Sequence, residues 1–179
     1  MPKFVAFLRA INVGGHVVKM DQLRQLFEAL GFDNVETFIA SGNVIFEAKS
    51  KDTNALQRKI EKHLQQELGY EVATFLRTLE ELEQVARHQP FAESEMKRPG
   101  NTLYVGFIAD SPAKAASQKV EGLVTEVDYL KVTGREFYWL LRTSFSDSKL
   151  SGAILEKALG VKATIRNINT VQRILKKYS

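Results

Sequence analysis

The chain has 179 residues, no cysteine, a net charge of +4 and a hydrophobic share of 44%. That length builds one substantial core or two small ones, and the lack of cysteine excludes disulfides, thiol nucleophiles and cysteine metal sites. No apolar run nears the ~20 residues that cross a bilayer, and the chain opens on a strand rather than on a leader-like segment, so a cytoplasmic protein with no membrane partner is expected.

Lys3–Arg9 reads as a strand, apolar and nearly continuous. Leu23, Leu26, Phe27 and Leu30 then recur at helical spacing, and Gly31 stops the helix. Val35–Ala40 and Val44–Ala48 are two further strands joined by the turn Ser41-Gly42-Asn43. Asp52–Leu68 is a second amphipathic helix, with Leu56, Ile60, Leu64 and Leu68 on its core face and Gly69 at its end. Glu71–Arg77 completes a βαββαβ order, the split-βαβ plan of ferredoxin-like sheets.

The second half repeats the plan without obvious sequence identity. Leu103–Ile108 is a strand and Pro112–Glu121 a helix; Val127–Val132 and Glu136–Arg142 form a hairpin across Thr133-Gly134-Arg135. Leu150–Leu159 is a helix ended by Gly160, Lys162–Ile165 a short last strand, and Asn167–Lys177 a terminal helix. Between the halves lie the helix Leu79–His88 and a polar stretch, 89–101, whose Pro90, Pro99 and Gly100 suit a linker. The expected fold is therefore α+β, a duplication of ferredoxin-like (βαββαβ) subdomains. Each has an antiparallel sheet with helices on one face. Residues 1–78 form the first, 79–101 the connecting helix and linker, and 102–179 the second with its C-terminal helix.

In such a sheet the first two strands run parallel, because a right-handed helical crossover joins them. Their C-terminal ends share one edge, so the loop Arg9-Ala10-Ile11-Asn12-Val13-Gly14-Gly15 converges with Ser41-Gly42-Asn43. The first loop runs roughly ten residues, against the usual two to six from strand to helix. Gly14 and Gly15 allow close backbone approach, and exposed N–H groups before a helix favour anions. Arg9 adds a planar guanidinium; Asn12, Ser41 and Asn43 add neutral hydrogen bonds. The same residues also fit a purely structural role, with glycines shaping turns and Asn43 capping a hairpin. The loop carries neither the P-loop signature nor G-x-G-x-x-G.

Phe4–Gly15, Met20–Gly31 and Val35–Phe46 together resemble the family of domains of unknown function numbered 1697. The run Lys149-Leu150, Leu155-Glu156, Leu159-Gly160-Val161, Thr164, Arg166-Asn167 and Asn169-Thr170 resembles that family's end. Ala10 stands where the family tends to have glycine, Ala40 where it often has glutamine, and Ile168 where tryptophan is usual. The resemblance implies a fold and the location of a site; it implies no reaction. Arg166, Asn167, Asn169 and Thr170 enter the candidate ligand set through it, and Asn is also a good helix N-cap.

Catalytic residues are not expected. His16 alone adjoins the glycine loop, His63 and His88 lie in helical patterns, and no metal-ligand spacing or nucleophile motif occurs. Nothing in the sequence identifies a cofactor.

Residues 1–90 hold eleven basic and twelve acidic residues, whereas 149–179 hold seven basic residues and one acid. That end suits either a solvated helix face or phosphate attraction. Nucleic acid is thus an alternative partner. Arg135–Arg142 partly matches the third strand of an RNA-recognition motif, where Phe137 and Trp139 would share one face and stack bases if exposed. The leading expectation is a small anionic or phosphate-bearing ligand at the first loop. The alternatives are a nucleic-acid-binding module and a non-catalytic interaction scaffold.

Overall fold

The computed structural model describes residues 1–12, 15–39 and 42–179, with all their side chains except that of Phe145. Two compact units emerge, Met1–Val85 with Ile174–Ser179, and Ala86–Arg173. The first contains β1 (Lys3–Leu8), α1 (Met20–Glu28), β2 (Asp33–Thr37), β3 (Asn43–Glu47), α2 (Thr53–Leu68) and β4 (Thr74–Thr78), and most of α3 (Leu79–Arg87). Its sheet has the order β2-β3-β1-β4, antiparallel throughout.

The helices of this unit form where the sequence pattern requires them. Asp52 caps α2 by accepting the Ala55 N–H at 3.1 Å, and Gly69 ends it in the left-handed conformation at φ 83°. Leu56, Ile60 and Leu64 then face the core, as do Leu23 and Phe27 of α1. They pack on Phe4, Ala6, Leu8, Val44 and Phe46 from one face of the sheet. Each such side chain contributes roughly 1.5–3 kcal/mol by leaving water.

The second unit holds α4 (Glu93–Met96), β5 (Thr102–Phe107), α5 (Lys114–Glu121), β6 (Asp128–Thr133), β7 (Glu136–Leu141), α6 (Gly152–Leu159) and β8 (Thr164–Asn167). A 3-10 turn spans Phe145–Asp147 between β7 and α6. α7 (Ile168–Tyr178) starts in this unit and ends in residues that belong to the first. The sheet order is β6-β7-β5-β8. The stretch expected as a linker is instead built onto this unit. It carries the turn of helix α4, Asn101 Nδ2 donates to the Glu95 carbonyl at 2.8 Å, and Arg142 pairs with the Glu95 carboxylate.

The strands β1 and β5 hold corresponding places in their sheets, whereas β2–β3 carries a register shift between Asp33 and Glu36 and β6–β7 pairs continuously. Phe4-Val5-Ala6-Phe7 of β1 matches Tyr104-Val105-Gly106-Phe107 of β5 in register. Val5 faces Ile45 and Arg77, while Val105 faces Tyr138 and Arg166. The small residue at the third place has a packing reason. Gly106 lies opposite Phe137, and a Cβ there would sit 2.1 Å from the ring.

The stacking face imagined from Arg135–Arg142 is corrected here. Phe137 and Trp139 are both fully buried in the second core, among Leu130, Leu141, Leu155 and Leu159. Trp139 Nε1 donates to Asp128 Oδ1 at 2.8 Å, and that buried carboxylate also accepts from Ser148 Oγ at 2.8 Å and Thr125 Oγ1 at 2.7 Å. An indole whose N–H is satisfied inside a core offers no surface to a base.

Candidate functional site

In the first unit, the C-terminal ends of β1 and β2 do share an edge. The Leu8 N–H donates to the Gly42 carbonyl at 2.8 Å, joining the exit of β1 to the β2–β3 turn. The next amide, that of Arg9, donates to the Ala73 carbonyl at 2.9 Å, which brings the approach to β4 onto the same edge. Arg9 is half-buried at this junction.

The loop after β1 is held from several sides. Asn12 Oδ1 accepts the Val18 N–H at 2.7 Å and so closes the loop on itself just before α1. Ile11 is buried, and its carbonyl accepts from Tyr70 Oη at 2.9 Å. The His16 ring stacks on Tyr70 with centroids 3.9 Å apart, so the one histidine near the loop packs against an aromatic ring. Burial raises the Tyr70 hydroxyl above its ordinary value, which keeps it a donor at neutral pH. Tyr70 was not among the residues expected at this edge; its only sequence signal is its place directly after the helix-ending Gly69.

Asn43 is buried, and its Nδ2 donates to the carbonyls of Phe38 and Ile39, both at 3.0 Å. It clasps the hairpin, and the Phe38 N–H returns a bond to the Asn43 carbonyl at 3.0 Å. Two non-glycine residues flank the edge in the left-handed region, Ala10 at φ 53° and Ile39 at φ 49°. Gly15 sits at φ 83° with open space where a Cβ would be. Of the expected ligand residues, Gly14 and Ser41 lie outside the described residues, as does Ala40.

In the second unit, Arg166 lies on β8 and donates to Thr164 Oγ1 at 2.6 Å and to the Ile165 carbonyl at 3.0 Å. Burial pushes its guanidinium down to about 10, so it is still a cation at neutral pH. Asn167 Oδ1 accepts the Asn169 N–H at 2.9 Å at the start of α7, an Asx turn that opens the helix. Asn167 and Asn169 line a groove on this unit. Thr170 is half-buried in the first turn of α7. Among the described residues, no group of three or more His, Asp or Glu could hold a metal ion, and no helix is long and apolar enough to cross a membrane.

Comparison with known proteins agrees with this architecture. The structure is similar to that of the conserved bacterial protein SP0830 from Streptococcus pneumoniae, with a TM-score of 0.75 at 23% sequence identity. The similarity covers 98% of this chain and 97% of that one, and at this identity it shows the fold. No curated protein matches the sequence. A family model described as "protein of unknown function (DUF1697)" matches residues 1–138, which include the β1 loop and the β2–β3 turn; the Arg166–Thr170 segment lies beyond the match. The chain thus belongs to the DUF1697 family.

Proposed function

We propose that this protein binds a small anionic or phosphate-bearing ligand at the sheet edge of its first unit. Arg9 supplies the charge and Gly15 leaves open space beside the backbone, while Gly14, outside the described residues, belongs to the proposed set through its N–H. Asn12 and Asn43 hold the two loops in shape, and Ser41 adds a hydroxyl. In the second unit, Arg166, Asn167, Asn169 and Thr170 form a further polar set. The corresponding places of β1 and β5 in their sheets support a duplicated unit, of which the first carries the longer loop. The protein is read as cytoplasmic.

The observation that carries the reading is the convergence of loops through Leu8–Gly42 and Arg9–Ala73, with Ala10 and Ile39 both held at positive φ beside it. A non-glycine residue in that region costs about 1–2 kcal/mol, and such strain gathers where a loop must present its backbone.

A thermal-shift screen of inorganic phosphate, nucleotides, sugar phosphates and carboxylates tests it. At 100 times Kd a ligand stabilises the fold by about 2.7 kcal/mol. The expected result is stabilisation by an anion in the wild type and its loss in Arg9→Ala. An anion response that Arg9→Ala leaves undiminished for every anion tested sinks the sheet-edge site. A response to oligonucleotides alone, falling steeply with salt and weakened by Lys176→Ala and Lys177→Ala, would favour the nucleic-acid alternative instead.

A further inference from the structure

We propose a separate ligand site on the Ala86–Arg173 unit, a groove of about 530 Å³ shaped for a phosphate carried on a polar, hydrogen-bonding body, as in a nucleoside monophosphate or a sugar phosphate. The groove lies within the roughly 300–1,000 Å³ typical of small-molecule sites. It rests on other residues than the sheet edge of the first unit and stands whether or not Arg9 binds an anion.

The fold assembles the groove from segments far apart in sequence. β5 pairs with β8, setting Tyr104 opposite Asn167. That pairing brings the start of β5, with Asn101 and Thr102, beside the β8–α7 junction, with Asn167 and Asn169. The end of α3 adds Arg87, with His88 directly after it, and Lys97 follows α4 as its C-cap.

The charge of the lining favours an anion. Arg87 and Lys97 stand against a single carboxylate, Glu93. Lys97 bonds to Glu93 and holds that carboxyl below its ordinary range, so the acid stays paired rather than repelling a ligand. Arg87 is exposed and lines the groove. Its planar fork matches the oxygens of a phosphate.

The rest of the lining favours a polar body over a bare ion. Carboxamides both donate and accept, which suits sugar hydroxyls and base edges. Asn101, Asn167, Asn169 and Gln172 all line the groove. Two of them are already oriented: Asn101 Nδ2 bonds the Glu95 carbonyl at 2.8 Å, and Asn167 Oδ1 takes the Asn169 N–H at 2.9 Å. His88 is also steadied, its ring 4.9 Å from that of Tyr138 and its Nε2 3.4 Å from Thr133 Oγ1. Such fixed groups lose little freedom on binding. Met96, Leu103 and Ile168 supply apolar wall.

Isothermal titration of the full chain at low salt, with adenosine monophosphate, ribose 5-phosphate and adenosine as probes, tests the site. At least one phosphate-bearing probe should bind, and adenosine should bind more weakly than its monophosphate. Arg87→Ala should weaken the phosphate-bearing probe by about tenfold or more, and Lys97→Ala should weaken it in the same direction. The weakening by Arg87→Ala and Lys97→Ala should persist in the Arg9→Ala background, where the sheet-edge site is already removed. Both lysine and arginine are exposed, so their loss should not disturb folding, which a melting curve of each variant checks. Tighter binding of the nucleotide than of the sugar phosphate assigns a nucleoside ligand; the reverse order assigns a sugar phosphate. Binding by none of the probes overturns the groove as a phosphate site. So does binding weakened only by Arg9→Ala, a result that would instead locate the ligand at the sheet edge.

Discussion

Ala10 holds a backbone angle of φ 53°, where glycine is at ease and an L side chain is not. Its position in the DUF1697 resemblance is one that tends to be glycine, and the geometry gives the reason. The alanine adopts the left-handed turn and bears its cost. Ala10→Gly is therefore expected to raise stability by about 1 kcal/mol. The shift should appear as a higher denaturant midpoint at an unchanged slope; a lower midpoint would show that the added freedom of the unfolded chain outweighs the relieved strain. Asn43 teaches a related lesson. In sequence it reads equally as a ligand contact and a hairpin cap, and its two bonds to the Phe38 and Ile39 carbonyls show what its amide holds in place. Asp128 carried no signal at all. It is one of two acids at the start of a hydrophobic strand, with Glu126, and its role as acceptor for Trp139, Ser148 and Thr125 exists only once three segments have met.

At the level of elements, local chemistry was a good guide where it is self-contained. The cap at Asp52, the spacing of Leu56, Ile60 and Leu64 and the left-handed Gly69 lie within one helix, and that helix forms as its residues indicate. Strand ends were less legible. β2 stops at Thr37 rather than Ala40, because the chain leaves extended geometry by Ile39, at φ 49°. The side of a strand that enters the core was also ambiguous. Phe137 and Trp139 alternate correctly for either face, and it is the packing of Val120 from α5 and of Leu155 and Leu159 from α6 that buries them, while β7 pairs with β5. That pairing makes Gly106 a matched partner of Phe137. Gly106→Ala should cost about 1–3 kcal/mol through overpacking against the ring. Adding Phe137→Leu should recover part of the loss in a double-mutant cycle, because the two substitutions share one contact. Additive effects in that cycle would mean that the ring is not what excludes the methyl group.

Across the whole molecule, the first unit is completed by residues from the far end of the chain. Tyr178 meets Phe38 edge-on with centroids 5.8 Å apart, and the Lys3 ammonium lies 5.9 Å from its ring. The hydroxyl is raised above its ordinary value by burial first and by the nearby Glu36 carboxylate second, so it stays neutral through the physiological range. Tyr178→Ala should lower stability by about 1–2 kcal/mol and speed hydrogen exchange in β2. Unchanged protection of β2 would count against this closing role. The basic excess of the C-terminal end has the same lesson. Lys177 stands 5.4 Å from the Phe38 ring and 5.3 Å from that of Tyr178, so part of that charge packs on aromatic faces. The sequence by itself determined the βαββαβ plan of each half and the edge on which the β1 loop would emerge. These follow from periodicity, turn chemistry and the handedness of crossovers, all encoded within a few dozen residues. Only the tertiary structure decided that Trp139 is core and that Asn43 is a clasp. It alone assembled a groove that joins Arg87 and Lys97 to Asn167 and Asn169. The physical reason is the same in each case: those roles depend on strand register and on contacts between segments distant in sequence, which no local pattern specifies.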